Sequence, residues 1–106
     1  MHIVFEGPDA VGKSTQIKLT KDYFESLGRK VILTREPGGT TVGLELRKIL
    51  LETDLPIHPR AEALMMAADR AQDVHEIIVP SVGAGMIVLS DRFISSSLVY
   101  QGVVRD

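Results

Sequence analysis

Residues 7 to 14 read Gly7-Pro8-Asp9-Ala10-Val11-Gly12-Lys13-Ser14, which meets GxxxxGK[ST] at every defined position. The apolar run His2–Glu6 precedes this segment, and Lys13–Leu27 follows it with Ile17, Thr20, Phe24 and Leu27 at helical spacing. A strand that turns through such a loop into a helix brings backbone N–H groups and the positive end of the helix dipole to one point. That makes a cradle for a polyphosphate. Within it Lys13 is set to neutralise the outer phosphates, Ser14 to offer a hydroxyl to Mg2+, and Thr15 to donate to an inner phosphate. The bland alternative is an ordinary glycine-containing turn with a solvated lysine, and it leaves the correct flanking elements to coincidence.

The rest of the chain repeats the strand and helix alternation. Gly28 closes the first helix, Lys30–Thr34 reads as a β-branched strand, and Pro37-Gly38-Gly39 breaks it. Val42–Glu52 carries Leu46, Ile49 and Leu50 on one face of a second helix, and Leu55–Arg60, with Pro56 and Pro59, reads as a loop. A long helix is expected from about Ala61 to Val79, ended by Pro80, Gly83 and Gly85. Its spacing assigns Leu64, Ala68, Ala71 and Ile78 to the core and Glu62, Met66, Asp69, Arg70 and Asp73 to another face. Met86–Ser90 is the most apolar strand, as befits one covered on both faces, with Asp91-Arg92 at its carboxyl end and another helix starting near Ser95. The expected fold is therefore α/β, a parallel sheet of P-loop NTPase type flanked by helices through right-handed crossovers. Three strands fall short of the ~4–6 usual in a sheet. The expectation is the front part of a larger domain, cut after its third strand.

Composition narrows the function. The chain has 106 residues, with 12 Lys+Arg against 14 Asp+Glu for a net charge of −2, and the two signs are mixed along it. This is one domain without the basic stripe that duplex nucleic acid requires. No apolar run approaches the ~20 residues of a membrane span, and Glu6 and Asp9 stand where a signal peptide would be apolar. The absence of cysteine fits a reducing compartment, so the cytoplasm is expected. His2, His58 and His75 lack ligand spacing and read as structural or exposed.

A second anion site is suggested by arginines. Arg35 and Arg92 each follow an expected strand, and two guanidiniums on the rim that holds the phosphate loop would clamp another phosphate. Asp91, closing an apolar strand, is either a turn residue or a carboxylate near the metal, and the neighbouring phosphate loop favours the latter. Met66 and Arg70 project together at i and i+4, as a nucleobase contact would require. Spacing alone favours the plainer reading, in which Arg70 pairs with Glu62, Asp69 or Asp73 and Met66 fills the core. Arg47 alone reads as surface, and Ser95-Ser96-Ser97 as a helix cap.

Together, Phe5-Glu6-Gly7 with Gly12-Lys13-Ser14-Thr15-Gln16, Thr34-Arg35-Glu36-Pro37-Gly38-Gly39-Thr40, Glu62-Ala63-Leu64 with Ala67-Ala68-Asp69-Arg70, and Asp91-Arg92-Phe93 with Ser96-Ser97 and Tyr100-Gln101-Gly102 closely resemble bacterial thymidylate kinases. The resemblance implies transfer of the ATP γ-phosphoryl to dTMP with Mg2+, in a cytoplasmic homodimer. It implies that Gly7 through Thr15 hold ATP, that Lys13 neutralises the transferring group, and that Ser14 and Asp91 hold Mg2+. Arg92 and Arg35 would bind the acceptor phosphate, assisted by Arg47, with Glu36 beside them. Asp9 would accept from the deoxyribose 3′-hydroxyl, and Arg70 would donate to the thymine carbonyl. Ser96, Ser97 and Gln101 would line the base, and Tyr100 would crowd the place of a ribose 2′-hydroxyl. Met66 departs from the phenylalanine usual against thymine; a thioether is polarisable but offers no flat face. Residues 1–106 would be the N-terminal portion of a single nucleotide kinase domain about twice this length, without its lid and C-terminal strands. Two other functions fit the same loop: a related small-molecule P-loop kinase, and a nucleotide-binding module without catalysis.

Overall fold

Ile87, Val88 and Leu89 are almost completely buried because they open the central strand of a parallel sheet, with a strand on either side. The structure, a computed structural model, describes residues 1–8 and 11–93. In chain order the elements are β1 (His2–Gly7), α1 (Val11–Ser26), β2 (Val31–Glu36), α2 (Thr41–Leu51), α3 (Pro59–Asp73), a π-helical turn (Val74–Ile78), α4 (Val79–Gly83) and β3 (Ile87–Phe93). The strand order is β1-β3-β2, all parallel, so each connection is a crossover. The expected fold class holds.

Local chemistry sets the helix starts. Thr40 Oγ1 accepts from the Gly43 N–H at 2.8 Å and caps α2. His58 Nδ1 accepts from the Arg60 N–H at 3.0 Å and caps α3, with Pro59 in the first turn, where its missing N–H costs nothing. Pro80 does not end the long helix as its type suggests. The Val79 N–H bonds back to Val74 O across the π turn, and α4 continues through Pro80 to Gly83. A widened turn just before a proline takes up the carbonyl that its ring would otherwise strike.

Two further expectations are corrected. Asp91 and Arg92 lie inside β3 rather than beyond it. On α3 the assigned faces are largely exchanged: Leu64 is 65% exposed and Ala68 and Ala71 are exposed, whereas Asp69 and Asp73 are buried. Of the expected core stripe only Ile78 is buried. The buried stripe runs through Asp69 and Asp73, with Glu62 and Met66 half-buried above them, because the carboxylates find donors on β2 and the loop that follows it.

Parallel pairing fixes what each face of the sheet carries. Arg35 is in register with Asp91, and Glu36 with Arg92. Since strand residues alternate, Leu33, Arg35, Leu89 and Asp91 face α1, while Thr34, Glu36, Ser90 and Arg92 face α3.

Candidate functional site

At the head of α1 the Lys13 ammonium folds back over the loop. Its Nζ donates to Gly7 O at 2.9 Å and pairs with Asp91 Oδ1 at 2.7 Å, leaving the side chain 9% exposed. Gly7 takes φ +145°, a conformation open to glycine, as the chain leaves β1. Ser14 and Asp91 border one groove of about 630 Å3, with an apolar floor of Ile17, Leu33 and Leu89. Exposed Pro8, Gly12, Ser14 and Thr15 complete the described part of the cradle. Asp9 and Ala10 lie outside the described residues, as does the side chain of Val11. A hydroxyl and a carboxylate on one groove are the hard oxygen donors that suit Mg2+.

The arginines sort differently from the sequence expectation. One residue out of register, Arg35 and Arg92 leave their strands on opposite faces, so the sheet does not build the clamp from that pair alone. Arg35 is instead joined by Arg47, which spacing had left on the surface. Arg35 Nε donates to Gly38 O at 3.3 Å and Arg47 Nη1 to Pro37 O at 2.8 Å. Both line a cavity of about 90 Å3 with Glu36, Asp91 and Phe93.

Behind the sheet, Glu36 is the meeting point. Its Oε1 accepts from Arg70 Nε at 2.9 Å, and its Oε2 accepts from Arg92 Nε and Nη2 at 3.3 and 3.2 Å. Arg92 Nη1 also donates to Glu6 Oε1 at 2.7 Å. Arg70 therefore pairs with β2, and not with the acidic neighbours Glu62, Asp69 and Asp73 that spacing offered. Met66 sits one turn before it, half-buried.

Asp69 and Asp73 fasten the loop that follows β2. Asp69 Oδ1 accepts from the Gly38 N–H at 3.0 Å, and Asp73 Oδ1 accepts from Thr34 Oγ1 at 2.5 Å. The packing is close: a Cβ on Gly39 would stand 2.7 Å from Asp73 Oδ1, and one on Gly43 would collide with Asp69 Oδ1. Burial pushes the Asp69 carboxyl above its ordinary value, opposed by the Gly38 hydrogen bond. Asp73 is raised by burial too, against the Thr34 bond and with help from Glu36, Asp69 and Glu76. His2, whose Nε2 lies 2.7 Å from Ser90 Oγ, is pushed down by burial first and by the Arg92 charge second. The anchoring by Glu6, Asp69 and Asp73 was missed in the sequence, although Glu62, Met66, Asp69 and Asp73 form a helical stripe of their own. Ser96, Ser97, Tyr100 and Gln101 lie outside the described residues.

The chain is similar to known proteins in sequence and fold. A family model described as thymidylate kinase matches residues 5–106. The chain is 50% identical over 103 residues to a thymidylate kinase of Caldicellulosiruptor saccharolyticus, covering 97% of this chain and 50% of that protein. Against that of Thermosipho africanus it is 50% identical over 106 residues, covering 100% and 53%. A crystal structure of thymidylate kinase from Ehrlichia chaffeensis matches with a TM-score of 0.80 at 39% identity, covering 96% of this chain and 58% of that one. The chain thus spans about half the length of the curated relatives it matches.

Proposed function

The chain belongs to the thymidylate kinase family, and on that footing we propose that the protein phosphorylates dTMP to dTDP with ATP as donor, supplying the pathway to dTTP. The observation that carries this reading is the pairing of two anion sites across one strand end. Lys13 and Asp91 are 2.7 Å apart at the phosphate loop, and Arg35 and Arg47 border a cavity that Asp91 also lines. Residues 7–15 hold ATP, with Lys13 on the transferring group. Ser14 and Asp91 would hold Mg2+, which supplies charge neutralisation of the phosphates when bound. Arg35 and Arg47 grip the acceptor phosphate from one side, and Arg92 from the other. Arg70 and Met66 take the base with Ser96, Ser97 and Gln101, while Asp9 and Tyr100 take the sugar. An oxygen of the dTMP phosphate attacks the γ-phosphorus, the bond to the β–γ bridging oxygen breaks, and ADP leaves. Little covalent work falls to the protein, so alignment and charge carry the rate.

We also infer a cytoplasmic homodimer. No described helix is long and apolar enough to cross a membrane, and exposed Leu64, Ala68 and Ala71 offer α3 a partner. The test of function is ADP release with ATP held fixed and dTMP, dUMP, dCMP or thymidine as acceptor. dTMP is expected to turn over best. A preference for thymidine, which has no phosphate for the arginines, overturns the reading; ATP binding with no turnover on any acceptor supports a nucleotide-binding module instead.

A further inference from the structure

Glu36 is 1% exposed and borders the small cavity of Arg35 and Arg47, and its carboxylate lies between two arginines from separate elements. A carboxylate against an acceptor phosphate would repel it. One whose two oxygens are already paired with guanidiniums has a different use. We propose that Glu36 is a positioning residue, a single buried carboxylate that sets Arg70 of α3 and Arg92 of β3 in a fixed relation and so fixes the distance between base recognition and phosphate recognition. This rests on the proposed dTMP site and replaces the expectation that Glu36 touches the substrate.

The hydrogen bonds divide the work between the two oxygens. Oε2 takes the Nε and Nη2 edge of Arg92, the forked geometry that a guanidinium and a carboxylate share. That edge locks the plane of the Arg92 guanidinium, which is 14% exposed, and turns Nη1 toward Glu6, whose half-exposed carboxylate an incoming phosphate can displace. Oε1 takes only Nε of Arg70, so the guanidinium of Arg70 is aimed by its stem while its terminal nitrogens stay available at 47% exposure. Register explains why position 36 serves. Glu36 is opposite Arg92 across the β2–β3 ladder and ends β2 where α3 packs against it. Aspartate there would be one methylene short of spanning both.

The test compares wild type, Glu36→Gln and Glu36→Asp in two measurements. The first is proton exchange at arginine Nε–H groups by NMR, which needs no ligand. Slow exchange is expected at Arg70 and Arg92 in wild type and fast exchange at both in Glu36→Gln, with Arg35 and Arg47 unmoved. The second is steady-state kinetics. KM for dTMP should rise about tenfold in Glu36→Gln, the scale of a lost charged hydrogen bond, while KM for ATP stays within about twofold. Glu36→Asp, which retains the charge and guards against a misfolded glutamine variant, should lose protection at one arginine and fall between the two. Arg70→Ala should cost less in the Glu36→Gln background than in wild type, because the aim of Arg70 is already lost. Unchanged KM for dTMP in both variants of an active enzyme, or equal rises in KM for dTMP and ATP, overturns the proposal. An inactive wild type with arginines that exchange as described overturns the dTMP reading and leaves the coupling of the two arginines standing.

Discussion

The two faces of the sheet follow opposite rules. Toward α1 the strands present Leu33 and Leu89 as the floor of an open groove, with charge confined to the carboxyl end, where Lys13 meets Asp91. Toward α3 they present Thr34, Glu36 and Ser90, which are buried, beside Arg92, and the helix answers with buried Asp69 and Asp73. An apolar face tolerates sliding, since dispersion contacts are not directional. A buried polar face does not, because every group displaced from its partner loses a hydrogen bond and gains no water. Under the proposed function the difference would give the faces separate work: the α1 side would hold a flexible polyphosphate through main-chain amides, and the α3 side would hold the rigid relation between guanidiniums that reading a nucleotide requires.

Lys13→Ala is the severest way to break that division. If Lys13 acts on the transferring phosphoryl as proposed, removing its charge should lower turnover by roughly 10²–10³-fold, the scale of a lost electrostatic contact to a transition state. Affinity for dTMP, measured by calorimetry without ATP, should stay within about threefold, because Lys13 pairs with Gly7 O and Asp91 at the phosphate loop. A comparable loss of dTMP affinity would mean that the faces act as one site.

Gly39→Ala attacks the other face. The new Cβ would strike Thr34 Oγ1 and stand 2.6 Å from Arg35 O, against the backbone of the strand that carries Arg35 and Glu36. Overpacking of this kind costs roughly 1–3 kcal/mol, to be read in urea unfolding, and dTMP affinity should fall more than ATP affinity. Gly83→Ala is the control, since nothing lies within 4 Å of its Cβ; a helical alanine there should be neutral or stabilise by about 0.4–1 kcal/mol. If the two variants unfold alike, the tightness of the α3 side is refuted.

This contrast also explains what was legible beforehand. The phosphate loop, the apolar strand ending in Ser90 and the alternation of elements are local patterns, and the fold follows from them. The faces of α3 were not legible, because hydrophobic spacing places Leu64 inside and the aspartates outside. What decides the matter is remote: Gly38 and Thr34, more than thirty residues upstream, supply the donors that let Asp69 and Asp73 be buried. That Arg35 and Arg92 leave their strands on opposite faces was not legible for a similar reason. Both lie near the carboxyl ends of their strands, inside them rather than beyond, and the one-residue offset that separates them belongs to the register between β2 and β3.

A gentler variant sharpens the comparison at the base. Met66 lies half-buried, one turn from Arg70. Met66→Phe should tighten dTMP by roughly 0.5–1.5 kcal/mol if a ring replaces the thioether against thymine. Unchanged calorimetric affinity would remove position 66 from the site.

The smallest effect is the pH dependence of the buried aspartates. Burial raises the folded-state value of Asp73 above the ordinary 3.8, with Glu36, Asp69 and Glu76 adding to the rise and Thr34 opposing it. A carboxyl shifted upward on folding binds protons more tightly in the native state. Its stabilising contribution is therefore full below the unfolded value and fades as pH climbs through the folded one. Asp73→Asn retains an oxygen that can accept from Thr34 but cannot titrate. The stability of wild type relative to Asp73→Asn should thus be greatest below the ordinary value of 3.8 and decline as pH rises above it, as read from urea midpoints at matched ionic strength. A difference that instead grows with pH would mean that the carboxylate is held charged by partners on the α3 side, and that this face is an ion-pair network rather than a layer of costly buried charge.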